Sequence, residues 1–289
     1  MRAIIRHGVS CFVAASVLAW LAGPGHAQFA LYDDFSSGFI RPGLWEGIST
    51  EGTLSAPTAE TLRLVENGSL HLSLVSWGEN TSDTGTVLTR QGLNVRQLGI
   101  PGGSGFITGL KAKTTVLNAA AQDCTGNVAG ASARAQLIGG FFNDGSGGVN
   151  NRTGDVLGIL QLQKDADGVN RIVASVNRCP DNACSSSVPI VLAGNPVTFT
   201  GGWSLNAPMI LKLVWDSTNG QFNFTATDPA TLTQEFHSVV YLGTVAFDGP
   251  ASVDFKSVRI LNVAENCATG RKQTVMDVLV DNVMVQAAP

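Results

Sequence analysis

The chain has 289 residues, 44% apolar and 14% charged, with 33 glycines, a turn-rich globular balance that excludes a disordered protein. Its 18 Lys+Arg against 22 Asp+Glu give a net charge of −4, and no basic cluster interrupts it. Nucleic acid and anionic lipid are therefore poor candidates as partners.

The first 27 residues have the layout of a signal peptide. Arg2 and Arg6 precede an apolar run from Val9 to Leu21, and Gly25-His26-Ala27 supplies small residues for cleavage before Gln28. The run is too short to span a bilayer, so the expectation is a secreted or periplasmic protein without membrane insertion. Loss of Arg2 and Arg6 would take the charge from −4 to −6. Cys11 lies inside the apolar run and not at its end, unlike a lipoprotein. No linker-like tract divides the rest, which predicts one domain over 28–289.

Leu31 to Trp45 starts as a strand and ends in a polar, Gly/Pro-rich turn. Ser69 to Leu74 alternates Leu70, Leu72 and Leu74 with Ser69, His71 and Ser73, a half-buried strand that turns His71 to solvent. Phe106 to Leu117 sets Leu110, Ala112, Thr114 and Val116 opposite Lys111 and Lys113. Ala131 to Phe142 places Ala133, Ala135, Leu137 and Phe141 on one face and Arg134, Gln136, Ile138 and Phe142 on the other. The clearest hairpin runs from Thr153 to Asn177. There Val156, Gly158, Leu160 and Leu162 alternate with Leu157, Ile159, Gln161 and Gln163 ahead of an Asp165-Ala166-Asp167-Gly168 turn. Pro189 to Leu192 is a short strand. A second hairpin joins Met209–Trp215 to Gln221–Thr227, and Ser252 to Val263 and Thr274 to Gln286 are the last strands. Ala119 to Ala121 is too short to form a helix alone. Many short strands and no long 3.6-residue pattern predict two packed antiparallel sheets.

Four cysteines follow the leader: Cys124, Cys179, Cys184 and Cys267. An even number in an exported chain predicts two disulfides. Cys179 and Cys184 are close enough to close a small loop, which leaves Cys124 for Cys267. Zinc is disfavoured, because neither His71 nor His237 is near a cysteine.

Three stretches together resemble the concanavalin A-like lectin/glucanase superfamily. They are Asp33-Asp34-Phe35-Ser36-Ser37-Gly38 with Leu44-Trp45, Glu66-Asn67-Gly68-Ser69-Leu70-His71-Leu72, and Val280-Asp281-Asn282-Val283-Met284-Val285. The resemblance implies a jelly-roll sandwich whose concave sheet holds the site. Family 16 glycoside hydrolases carry acids at alternate positions of a concave strand, and retaining chemistry needs two carboxyls about 5–5.5 Å apart. Here that strand resembles Gly154 to Leu160: Asp155 fits the first position, but Leu157 takes the second and Ile159 or Leu160 the third. The resemblance also implies a structural calcium ion held by Asp281, the Gly68 carbonyl and a backbone oxygen near Asp34.

Arg134 and Gln136 share a strand face, as do Gln161 and Gln163. On the concave sheet they would line a groove suited to a polysaccharide or other glycan, with Trp203 or Trp215 stacking on a sugar ring. The expected function is a non-catalytic, lectin-like or surface-adhesion role. Two rivals stand beside it. One is a hydrolase or lyase with a different site, built on Asp155 with Glu235 or Glu265; the other is a structural protein without a ligand.

Overall fold

A computed structural model describes residues 28–50, 59–96, 107–147, 151–184, 186–245 and 256–287. The expected leader, and the residues Phe106 and Ser252 to Phe255 at the starts of two expected strands, lie outside the described residues. Sixteen strands, and no helix among the described residues, follow in order. They are β1 (Ala30–Asp33), β2 (Trp45–Thr50), β3 (Ala59–Glu66), β4 (Ser69–Trp77), β5 (Thr86–Val95), β6 (Ile107–Ala121), β7 (Ser132–Asn143) and β8 (Asp155–Asp165). The second half has β9 (Asn170–Arg178), β10 (Val188–Pro189), β11 (Val197–Thr198), β12 (Pro208–Asp216), β13 (Gln221–Asp228), β14 (Thr233–Val240), β15 (Lys256–Glu265) and β16 (Gln273–Ala287).

They form two eight-stranded sheets. One has the order β14-β13-β12-β6-β16-β4-β3 with β1 on β16; the other has β10-β9-β8-β7-β15-β5-β2 with β11 on β9. We call them the back and front sheets. Every strand pairing is antiparallel, and the first strand pairs with the last. This is an all-β sandwich of two antiparallel sheets, as the sequence leads one to expect.

The core follows from strand periodicity. In β4 and β12 every second residue is buried, which sends Leu70, Leu72, Leu74, Leu211, Leu213 and Trp215 inward. From the front sheet Ala133, Ala135, Leu137, Val156, Leu160, Leu162, Ile172, Ala174 and Val176 meet them. Gly158 belongs to this inner row because the sheets approach closely there: a Cβ would lie 2.7 Å from Leu213 Cδ1.

Two expectations need correction. Phe142 is not on the outer face of β7. The register against β8 shifts between Gly140 and Phe142, and this bulge sends Phe141 and Phe142 both into the core, Phe142 against Trp215 at 4.9 Å. His71 is not a free solvent-facing residue either. It is held 2.6 Å from Asp277 Oδ1 and 2.6 Å from Glu66 Oε1, with its side chain 14% exposed.

Candidate functional site

The outer face of the front sheet carries a groove of about 320 Å³. Its floor is built by alternation: each strand that sends alkyl groups into the core must send the residues between them out. β7 contributes Arg134, Gln136 and Ile138, and β8 contributes Leu157, Ile159, Gln161 and Gln163. Arg259 and Leu261 come from β15, and Leu88 and Arg90 from β5. All four polar residues predicted from the sequence meet here.

Strand pairing sets them in line. Arg259 lies opposite Gln136, and Gln136 opposite Gln161, so their side chains touch across neighbouring strands. Arg259 Nε donates to Gln136 Oε1 (2.7 Å), Gln136 Nε2 to Gln161 Oε1 (2.6 Å), and Gln161 Nε2 to Gln163 Oε1 (2.5 Å). Gln163 Nε2 then donates to Asp165 Oδ1 (2.6 Å), whose other oxygen accepts from Arg171 at 2.6 Å. The ladder starts at a cation that can only donate and ends at a carboxylate that accepts. Every amide is thereby oriented, with its carbonyl toward Arg259 and its NH₂ toward Asp165. One N–H and one lone pair of each amide remain for a ligand.

The groove is electropositive. Burial lowers the pKa of the Arg259 guanidinium, and the charges of Arg90 and Arg134 push the same way. Burial also lowers Arg134, which Asp165 partly offsets. Arg90 is lowered by burial and then by Arg152, from the loop before β8. Arg90 and Arg259 were not foreseen. Arg259 could have been read from the alternation around Val258 and Ile260; β5 carried no recognised strand signal.

One end of the groove is closed. Leu157 and Ile159 pack with Ile138 against Cys179 and Cys184 in a small separate cluster. The two disulfides are those expected, Cys179–Cys184 and Cys124–Cys267, with Cα atoms 4.9 and 5.6 Å apart, spacings that suit such bridges.

The predicted tryptophans are elsewhere. Trp215 is 7% exposed and packs in the core against Phe142 and Phe222, because it falls on the inward set of β12. Trp203 is 5% exposed and donates through its indole N–H to the carbonyls of Gln163 and Arg171. It braces the hairpin and does not line this groove. No aromatic side chain lines the groove among the described residues.

The acids named for an alternative active site are separated and occupied. Asp155 is buried beside Asn143 Nδ2 at 3.1 Å. Glu235 accepts from Thr200 and Gly201 at the sheet edge. Glu265 accepts the backbone N–H groups of Cys124 and Gly130. None lines the groove.

At the expected calcium corner, Val280 pairs with Leu70 and Asp33 with Val283, one or two residues along the chain from Asp281, Gly68 and Asp34. Asp281 accepts from Asn282 through both oxygens and lies 3.5 Å from Lys113 Nζ. The Ser36 backbone N–H, and then the Ser36 hydroxyl, hold the Asp34 carboxyl low. One carboxylate with nearby carbonyls supplies fewer than the six to eight oxygens that calcium takes, and Lys113 competes for that carboxylate. Among the described residues, the ligand-type cluster of Asp83, Cys124 and Cys267 has both sulfurs in a disulfide, so neither is a thiolate ligand.

No protein-family model and no curated protein sequence matches this chain. Solved structures to which it is similar include the marine PL7 alginate lyase AlyA1 from Zobellia galactanivorans, at 14% identity over 87% of this chain and 98% of that one, TM-score 0.43. A winged bean acidic lectin complexed with methyl-alpha-D-galactose has 9% identity over 85% of this chain and 100% of that one, TM-score 0.35. The VIP36 exoplasmic/lumenal domain, Ca2+/Man3GlcNAc-bound, has 11% identity over 89% and 91%, TM-score 0.36.

Proposed function

We propose that residues 28–289 form one exported, lectin-like domain that holds a glycan in the front-sheet groove without cutting it, as a binding or surface-adhesion module. The supporting observation is the oriented amide ladder from Arg259 to Asp165. Sugar hydroxyls both donate and accept, and planar amides in a row offer both functions at fixed spacing. Cutting a glycosidic bond with paired carboxylates needs two acids facing each other across the substrate. Asp155, Glu235 and Glu265 stand on three separate elements with their oxygens occupied. Two disulfides favour a secreted or periplasmic location, where oxidised cysteines persist.

The test is a glycan array run beside a reducing-sugar release assay. Binding without release is the expected result, and Arg134→Ala with Gln163→Ala should weaken it by ~10-fold, about 1.4 kcal/mol. Release of sugar ends would reverse the assignment in favour of an enzyme. Silence in both assays would leave a structural protein.

The same proposal includes a structural calcium ion at the corner of Asp281, Gly68 and Asp34. It would join the first strand, the β3–β4 turn and the last strand, and has no part in glycan recognition.

A further inference from the structure

We propose that the groove selects an acidic polysaccharide, one whose sugar units carry carboxylate or sulfate groups. This deepens the glycan-binding reading and rests on it. Arg90, Arg134 and Arg259 all line the groove, whereas none of its described lining residues is acidic. Arg259 is only 6% exposed. Its Nε is committed to Gln136, and its two terminal amino groups meet no acceptor among the described residues. Arg134 is arranged alike, with Nε on Ser132 Oγ at 2.9 Å. The nearest carboxylate, Asp165, is at the far end of the ladder and already paired with Arg171.

Burying a guanidinium among like charges is unfavourable unless something negative compensates it. An arginine cannot escape by losing its proton, so the repulsion persists in the free protein and an incoming anion relieves it. The planar fork of a guanidinium matches a carboxylate or a sulfate through two parallel N–H···O bonds. Beside these forks the glutamine ladder presents groups suited to hydroxyls. The groove therefore pairs anion sites with hydroxyl sites, the combination that an acidic sugar chain displays. The structure argues against the neighbouring choices. An uncharged sugar would leave the guanidinium forks unmatched, and no aromatic ring lines the groove among the described residues to compensate by stacking. A nucleic acid strand would lack the same platform for its bases, and the chain outside the groove is net negative.

The full mature chain, disulfides intact, is titrated with polygalacturonate, dextran sulfate, uncharged dextran and polyuridylate. One of the two acidic polysaccharides should bind at least ~10-fold more tightly than dextran, and which one it is separates carboxylate from sulfate. That advantage should shrink steeply by about 0.5 M salt as charges are screened. Arg134→Gln and Arg259→Gln should each cost most of it. Because each removes a like charge, Arg134→Gln should leave the melting temperature equal or higher, which a merely structural arginine would not do. Dextran binding as tightly as the acidic chains, or Arg134→Gln without effect, overturns the charge selectivity while glycan binding stands. No binding of any polysaccharide overturns both. Polyuridylate binding as tightly as the sugars also overturns this inference, in favour of unselective attraction to polyanions. The comparison among ligands uses the unmodified protein and does not depend on any variant folding.

Discussion

Asp33 shows at the residue scale why the opening motif has its composition. The carboxylate is 1% exposed and accepts the Phe35 N–H at 2.9 Å, the Trp45 indole N–H at 2.7 Å and a bond from Arg41. Phe35 takes φ of 55°, an uncommon region for a bulky residue, and its ring stacks on Trp45 at 5.7 Å. Asp, Phe and Trp at those spacings are therefore one buried knot. Glu235 forms a comparable tie in the open, joining the segment after β11 to β14. Burial alone would raise its pKa, but bonds from Gly201 N–H, His237 and Thr200 outweigh this and bring it to about 2 from 4.5. A carboxyl lowered in the folded state stabilises fully above about 4.5, and that contribution disappears as pH falls through about 2. Glu235→Gln should thus lower the urea midpoint at pH 7 and flatten the fall in stability between those two values. Parallel curves for variant and parent would show that the tie contributes nothing.

At the scale of elements, β8 carries both halves of the functional argument. Its first eight residues are buried on both faces, and only the last three are partly open. The inner face meets the back sheet; the outer face packs at Leu157 and Ile159 against the Cys179–Cys184 loop and lines the groove at Gln161 and Gln163. The loop sets where the groove stops. Replacing Cys179 and Cys184 by serine should cost about 2 kcal/mol, the chain-entropy value for so short a loop. It should also lengthen the saccharide the groove accepts, as Leu157 and Ile159 become uncovered. Urea unfolding and binding of a graded oligosaccharide series measure the two effects. An unchanged length preference would mean that the loop is not the stop.

For the whole molecule, the closing event is the pairing of β1 with β16, which carries the N-terminal knot onto the last strand. Asn282, with φ of 49°, and the register shift after Asp281 turn the last strand at that corner. A calcium ion there would have to displace Lys113, so its affinity should be weak, on the order of 0.1–1 mM. Melting temperature should rise in millimolar calcium and return with a chelator. Asp281→Asn should abolish the rise, and Lys113→Ala should shift it to lower concentrations. A melting temperature indifferent to both calcium and chelator would remove the ion from the account.

The sequence by itself determined the two-sheet sandwich, both disulfides and the four polar residues of the groove floor. The reason is that period-2 alternation is local: once Leu160 and Leu162 face inward, Gln161 and Gln163 have only the other side. Tertiary structure alone decided what met what. Trp215 shares the parity of Leu211 and Leu213, but only the packing of the sheets placed it among Phe142, Phe222 and Tyr241. The bulge in β7 shifted Phe142 across the sheet, a change in parity that no alternation pattern records. Arg90 and Arg259 joined Arg134 only because β15 runs between β5 and β7. They are separated by long stretches of chain, and the charge of a groove is a property of neighbours in space.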